Sequence, residues 1–262
     1  MINVYWLRQN ESDVPGNDEW LSDNEVIRLS GLRFAKRRSD WRLGRWVGKC
    51  AVAAYLKLPF SAEALATIEI RSTASWAPEV WLHGRPAAVT ISLSHRGGQG
   101  MCAVAPPATA LGCDLEVIEP HSESFVEDYF TIQEQQLMEQ AAVSQRSQLV
   151  ALLWSAKESA LKALGVGLQA DVRSFAVTYQ TEKGRQTGPG LTDGDIAGSA
   201  AEAPIQNWRT LQVCNPDSRV FRGWWLCSGT FITTVVADPS PFPPVALLRK
   251  AAEQSRDPAT QL

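Results

Sequence analysis

At 262 residues, with 45% hydrophobic and 20% charged residues and a net charge of −3, the chain has a globular composition and ample length for a buried core. That balance excludes the global cationic field of nucleic-acid binders, and no apolar run reaches the roughly 20 residues needed to span a bilayer. Five scattered cysteines without metal-ligand spacing read as reduced thiols of a cytoplasmic protein, and the N-terminus has no signal-peptide pattern.

In chain order, INVYWL alternates and predicts a strand. Residues 21–58 predict one or two helices, opened by a capping box in which Glu25 follows Ser22 by three positions. ATIEIRS and EVWLHG predict short strands, and AAVTISLSH and GMCAVAP predict two more around a Gly-rich turn. ALGCDLEV is a further strand, bounded by Pro120. Residues 125–167 are helical again and stop at a glycine. SFAVTYQ, RTLQVCN, GWWLCSGTF and ITTVVAD predict late strands, residues 184–204 a Gly-rich loop, and the tail after Pro239 a Pro-rich linker with a short helix or disorder. Beneath this order RWVGKCAVAAYL (45–56) aligns without gaps on LWSAKESALKAL (153–164), sharing Trp, Lys and Leu, as two similar α+β halves would.

Four stretches carry the chemistry. In LGCDLEVIEP, Asp114 and Glu116 lie two apart on a strand and so share a face, where like charges repel unless a cation lies between them. A solvated edge strand is the alternative. In LWSAKESALKAL, Glu158 and Lys162 stand at i, i+4 on a helix too apolar to carry idle charge. Two strand carboxylates and one helix carboxylate make a hard-oxygen set suited to a magnesium-type cation with room for substrate phosphates, while a zinc site lacks its His or Cys pairs. Ser94 and His95 end a strand beside glycines whose backbone can approach a phosphate closely, the alternative being a strand-end histidine satisfied by backbone. Residues 33–49 hold seven basic side chains against one acid, a one-signed block that points to an anionic partner.

In this order and spacing the stretches resemble the 4′-phosphopantetheinyl transferases of the surfactin-synthetase-activating type. GCDLE (112–116) is similar to the family's G-[IV]-D-[IV]-E block and WSAKESALK (154–162) to its W-x-x-K-E-[SA]-x-x-K block. GRP (84–86) is similar to its G-K-P turn, LSH (93–95) to its strand-end S-H, and FAK (34–36) with GR (44–45) to its basic helix. The departures are Ser92 and Arg96, where the family has an amide and a serine, and Arg85, where lysine is commoner.

The resemblance implies an α+β pseudo-dimer, each half a long helix on a small antiparallel sheet, with the active site between the halves. Residues 1–108 would be the coenzyme A phosphate-binding half, 109–238 the half with metal site and catalytic helix, and 239–262 a tail. It implies Mg²⁺ held by Asp114, Glu116 and Glu158 on the coenzyme A diphosphate, attack by a carrier-protein serine on the β-phosphate, and departure of 3′,5′-ADP. Glu158, or a water, would be the general base, and Lys162 would stabilise the leaving group. Lys36, Arg45, Arg85, Ser94, His95, Lys157 and Lys162 would contact the cofactor. Lys49 would join these contacts or, as Arg45 also could, simply be part of the basic face, and the role of Glu134 stays open. Partners would be apo carrier proteins of acidic surface and coenzyme A, with no nucleic acid and no membrane, and the chain would be a monomer. The alternative is a catalytically silent homologue that binds coenzyme A or a carrier.

Overall fold

The computed structural model describes residues 1–247 apart from 74, 76, 167–169, 182–183 and 187–206. The first half runs β1 (Tyr5–Asn10), α1 (Asp23–Ser30), α2 (Ala35–Leu56), α3 (Ala62–Ala66), β2 (Ile68–Ser72), β3 (Pro78–Leu82), β4 (Arg85–Pro86), β5 (Thr90–Arg96) and β6 (Gln99–Ala105). The second half runs β7 (Ala110–Val117), α4 (Glu123–Tyr129), α5 (Ile132–Gln140), α6 (Val143–Leu164), β8 (Ala176–Thr181), β9 (Gly184–Gln186), β10 (Arg209–Cys214), β11 (Val220–Ser228) and β12 (Phe231–Asp238). A short β13 (Val245–Ala246) follows. The α+β class expected from the sequence holds. The Gly-rich loop expected over 184–204 begins with β9, and its remainder lies outside the described residues. Among the described residues no helix is long and apolar enough to cross a membrane.

Local chemistry sets the element ends. Ser22 caps α1 with the expected box, its Oγ accepting from Glu25 N at 3.3 Å while its own N donates to Glu25 Oε2 at 3.1 Å. Thr131 and Glu134 form a second box at α5. Helix α6 ends at Gly165 with φ 68°, a left-handed turn that glycine adopts without strain.

The halves share a strand logic. In the first, β1 pairs antiparallel with the half's last strand β6, which pairs antiparallel with the penultimate β5. In the second, β7 pairs antiparallel with β12, which pairs with β11, and the sheet continues through β10, β8 and β9. A 22-residue helix covers each sheet, α2 in one half and α6 in the other. A third apolar cluster fills the seam between the sheets, with Trp6, Met101 and Ala103 from one side meeting Cys113, Leu115 and Val235 from the other.

The tail differs from its expected linker, short helix or disorder. Past Pro239 the chain returns to the first half, where β13 pairs parallel with β1. Phe242 N donates to Ile2 O at 2.9 Å, Val245 N to Val4 O at 2.9 Å and Leu247 N to Trp6 O at 2.7 Å. Pro241 precedes these donors and Pro243 and Pro244 fall between them, at positions where no amide is needed, so a Pro-rich segment can still pair at a sheet edge. Residues 248–262 lie outside the described residues.

Candidate active site

The site begins with a close approach. A Cβ on Gly112 of β7 would stand 1.8 Å from the carbonyl oxygen of Ser159, so only glycine lets α6 lie this near the strand. Ser155 and Ser159 fasten the helix to the neighbouring strand, their hydroxyls 2.8 and 2.7 Å from Thr234 Oγ1. Thr234 stands opposite Asp114 in the β7–β12 ladder. This packing presents the amine of Lys162 to Cys113 O at 3.1 Å and to Asp114 Oδ1 at 2.7 Å.

The other half meets β7 along β5, although the two strands belong to different sheets. Serine side chains bridge them. Ser92 Oγ accepts from Cys113 N at 3.0 Å, and Ser94 Oγ accepts from Leu115 N at 3.3 Å. Ser94 also donates to Asp114 Oδ1 at 2.8 Å. Residues two apart on each strand therefore lock the register that brings His95 to the acids. The sequence departure at Ser92 thus has a role the motif reading missed.

Asp114 is buried, and its Oδ2 has no hydrogen-bond partner. Glu116 Oε1 accepts from Trp154 Nε1 at 3.2 Å, and its Oε2 lies 3.4 Å from Arg96 Nε. Burial and then the Asp114 charge push the Glu116 carboxyl up to about 7, with Arg96, the Trp154 bond and Lys162 pulling the other way. Glu158 is raised by the same two causes, burial first and Asp114 second, against Lys162, and its Oε1 is buried without a partner. His95 is lowered chiefly by burial, while it feels the charges of Asp40, Lys162, Lys36 and Asp114. Lys36 is exposed and lies 2.5 Å from Asp40, one turn along α2. Residues of both halves thus share one electrostatic neighbourhood.

The three acids do not form a finished cage. Among the described residues no three His, Cys, Asp or Glu side chains are gathered so as to hold a metal ion. The expected convergence is corrected to that extent, and the reason is visible: Lys162 takes one oxygen of Asp114, while Trp154 and Arg96 divide Glu116 between them. The donor set nevertheless suits a hard cation, since two buried carboxylate oxygens, Asp114 Oδ2 and Glu158 Oε1, lack partners.

The raised Glu116 carboxyl gives a pH signature. Its ordinary value is 4.5, so between about pH 4.5 and 7 the folded chain keeps a proton that the unfolded chain has released. Stability therefore falls as pH rises through that window. Without added divalent cations, the melting temperature of the unsubstituted protein should fall relative to Glu116→Gln between about pH 5 and 7.5; parallel curves would contradict the assignment.

Other sequence candidates lie elsewhere. Arg85 is exposed on β4, the edge of the three-stranded sheet β2–β3–β4. Lys157 is fully buried, with its amine 2.6 Å from Glu134 Oε2 and donating to Tyr129 O at 3.2 Å. The expected cofactor contact of Lys157 is therefore corrected: it faces into the protein and is neutralised there. The later part of the basic block is likewise drawn inward, while Arg33, Lys36 and Arg37 stay exposed. Lys49 is fully buried 2.5 Å from Glu25, Arg45 Nε lies 3.7 Å from the same carboxylate and its guanidinium stacks over Trp41, and Arg42 pairs with Asp18 at 2.8 Å. Arg45 is thus also placed as a fastener of α1 to α2, away from the role expected for it.

The two buried pairs correspond. Lys49 and Lys157 occupy the same offset in the aligned repeat, and each meets the glutamate of a capping box on a preceding helix. The capping-box spacing and the shared lysine were the available signals. Lys157→Met leaves Glu134 buried and uncompensated, which should cost about 3–5 kcal/mol in denaturant titration, whereas Lys157→Met with Glu134→Leu should recover most of that loss. A neutral single substitution would show that the pair is not buried as described.

Residues 110–220 match the family model of the 4′-phosphopantetheinyl transferase superfamily. Among curated proteins, 4′-phosphopantetheinyl transferase HetI of Nostoc sp. (strain PCC 7120) is 25% identical over 186 residues, covering 70% of this chain and 76% of HetI. Among solved structures, a holo-(acyl-carrier-protein) synthase from Bacillus anthracis in complex with CoA (3′,5′-ADP) aligns at a TM-score of 0.34 and 18% identity, over 40% of this chain and 95% of that one.

Proposed function

We propose that this chain, whose residues 110–220 match the 4′-phosphopantetheinyl transferase superfamily model, is such a transferase and moves the phosphopantetheine arm of coenzyme A onto a serine of an apo carrier protein. The observation that carries the reading is the pair of buried, unpartnered carboxylate oxygens, Asp114 Oδ2 and Glu158 Oε1, beside the Lys162 amine and within the field of His95 from the other half.

In this reading the finer type is the surfactin-synthetase-activating one, with residues 1–108 and 109–238 acting as two halves of a monomer around one site. The serine hydroxyl attacks the β-phosphorus, a new P–O bond forms, and the bond to the leaving phosphate of 3′,5′-ADP breaks. Asp114, Glu116 and Glu158 are the residues that would hold Mg²⁺, which when bound neutralises diphosphate charge. Glu158, raised by burial, receives the serine proton directly or through a water. Lys162, already fixed by Cys113 O and Asp114, stabilises the charge that develops on the leaving phosphate. Lys36 and His95 meet the cofactor phosphates from the first half, and the exposed Lys36 also suits a carrier of acidic surface. A cytoplasmic setting, where coenzyme A and reduced thiols coexist, fits five free cysteines.

The test is incubation with coenzyme A, Mg²⁺ and a panel of apo carrier domains, followed by intact-mass spectrometry. The expected result is a serine-linked phosphopantetheine arm that fails to appear when chelator replaces Mg²⁺. Unmodified carriers across a broad panel would overturn the reading.

A further inference from the structure

Arg96 ends β5 immediately after His95, where the resembling family has serine, and the reaction as written gives it nothing to do. It joins two acids of different kinds. Its Nε lies 3.4 Å from Glu116 Oε2 in the acid cluster, and its Nη2 lies 2.5 Å from Glu119 Oε1 outside it. The Arg96 and Glu119 side chains are 46% and 43% exposed, against 16% for Glu116. A guanidinium offers several donors in a rigid fork, so one arginine can serve both carboxylates at once.

Resting on the reading of Asp114, Glu116 and Glu158 as cation ligands, we propose that Arg96 is a built-in competitor for the divalent cation at Glu116, with Glu119 as the outer anchor that draws it away. A carboxylate oxygen turned to a guanidinium is not free for a dication, and a positive charge this close opposes entry of another. Glu119 shifts that balance. While Arg96 bonds it, the arginine can give up Glu116 and still keep a charged partner at the surface. Without Glu119, Arg96 has Glu116 alone and closes on it. Arg96 is therefore a positioning residue that sets how tightly this chain takes its metal, and Glu119 acts only through it.

The pair gives effects of opposite sign. MgCl₂ would be titrated calorimetrically into the full chain without coenzyme A, for the unsubstituted protein, Arg96→Ser, Glu119→Gln and the double variant. Arg96→Ser should tighten Mg²⁺ about three- to tenfold, and Glu119→Gln should weaken it about twofold, as partly exposed charge pairs allow. The double variant should match Arg96→Ser, because Glu119 has no effect once the arginine is gone. Unchanged or weaker binding in Arg96→Ser overturns the proposal. So does a double variant weaker than Arg96→Ser by the Glu119→Gln factor, since that is plain through-space attraction of the cation. If the unsubstituted protein and Asp114→Ala alike take up no Mg²⁺, the acid-cluster reading itself fails, an outcome distinct from normal uptake that Arg96→Ser leaves unmoved.

Discussion

Asp114→Asn should lower kcat/KM for phosphopantetheine transfer by about 10²–10³-fold while the protein stays folded. Asparagine has the shape of the aspartate and one carbonyl oxygen, so it can still accept from Ser94 and Lys162, which bond Oδ1 at 2.8 and 2.7 Å. What it removes is the negative charge and the buried, unpartnered Oδ2 as an anionic ligand. Losing one preorganised electrostatic group at a reacting centre costs rates of that order. The expected stability loss is smaller, about 1–3 kcal/mol for a charge-assisted hydrogen bond, because Lys162 keeps its bond to Cys113 O. Time courses by intact mass, with melting curves on the same samples, separate the two effects. A rate near that of the unsubstituted protein would remove Asp114 from the site.

Gly112→Ala should produce the largest combined loss of stability and activity. Overpacking a buried position costs about 1–3 kcal/mol when side chains can yield, and here the obstructing atom is the Ser159 backbone oxygen at 1.8 Å, so about 3 kcal/mol or more is expected. Relief requires α6 to move off β7. That motion separates Lys162 and Glu158 from Asp114, and the rate should fall even at temperatures where the variant is fully folded. Gly44→Ala is the control: a Cβ there meets nothing within 4 Å, and alanine inside helix α2 should be neutral or stabilise by up to about 1 kcal/mol. Equal behaviour of the two variants would contradict the close approach.

What could be read from the sequence followed local rules. The period of two placed Asp114 and Glu116 on one strand, the i, i+4 spacing placed Glu158 and Lys162 on one helix, and Ser22 with Glu25 marked the start of α1 correctly. What could not be read depended on partners distant in sequence. Lys157 looks like any lysine beside a catalytic motif until Glu134, on a different helix, is found against it. The basic block looks one-signed because Asp18 and Glu25, which neutralise Arg42 and Lys49, lie outside it in the sequence. The role of Trp154 also depends on a distant partner: an indole N–H at a partly buried position needs an acceptor, and Glu116 supplies it. The Pro-rich tail read as linker because proline discourages strands, and only the bonding pattern of β1 shows that its prolines fall where no donor is required.

The return of the chain to β1 has a consequence for any attempt to take the molecule apart. A cut near residue 108 would leave the N-terminal fragment with a bare edge at Ile2, Val4 and Trp6, while the C-terminal fragment would carry the missing strand. The two pieces would then recombine by strand donation across that edge as well as through the serine bridges of β5 and β7. Each fragment would lack part of this pairing, and a split version of this protein would have its reassembly handle already built in.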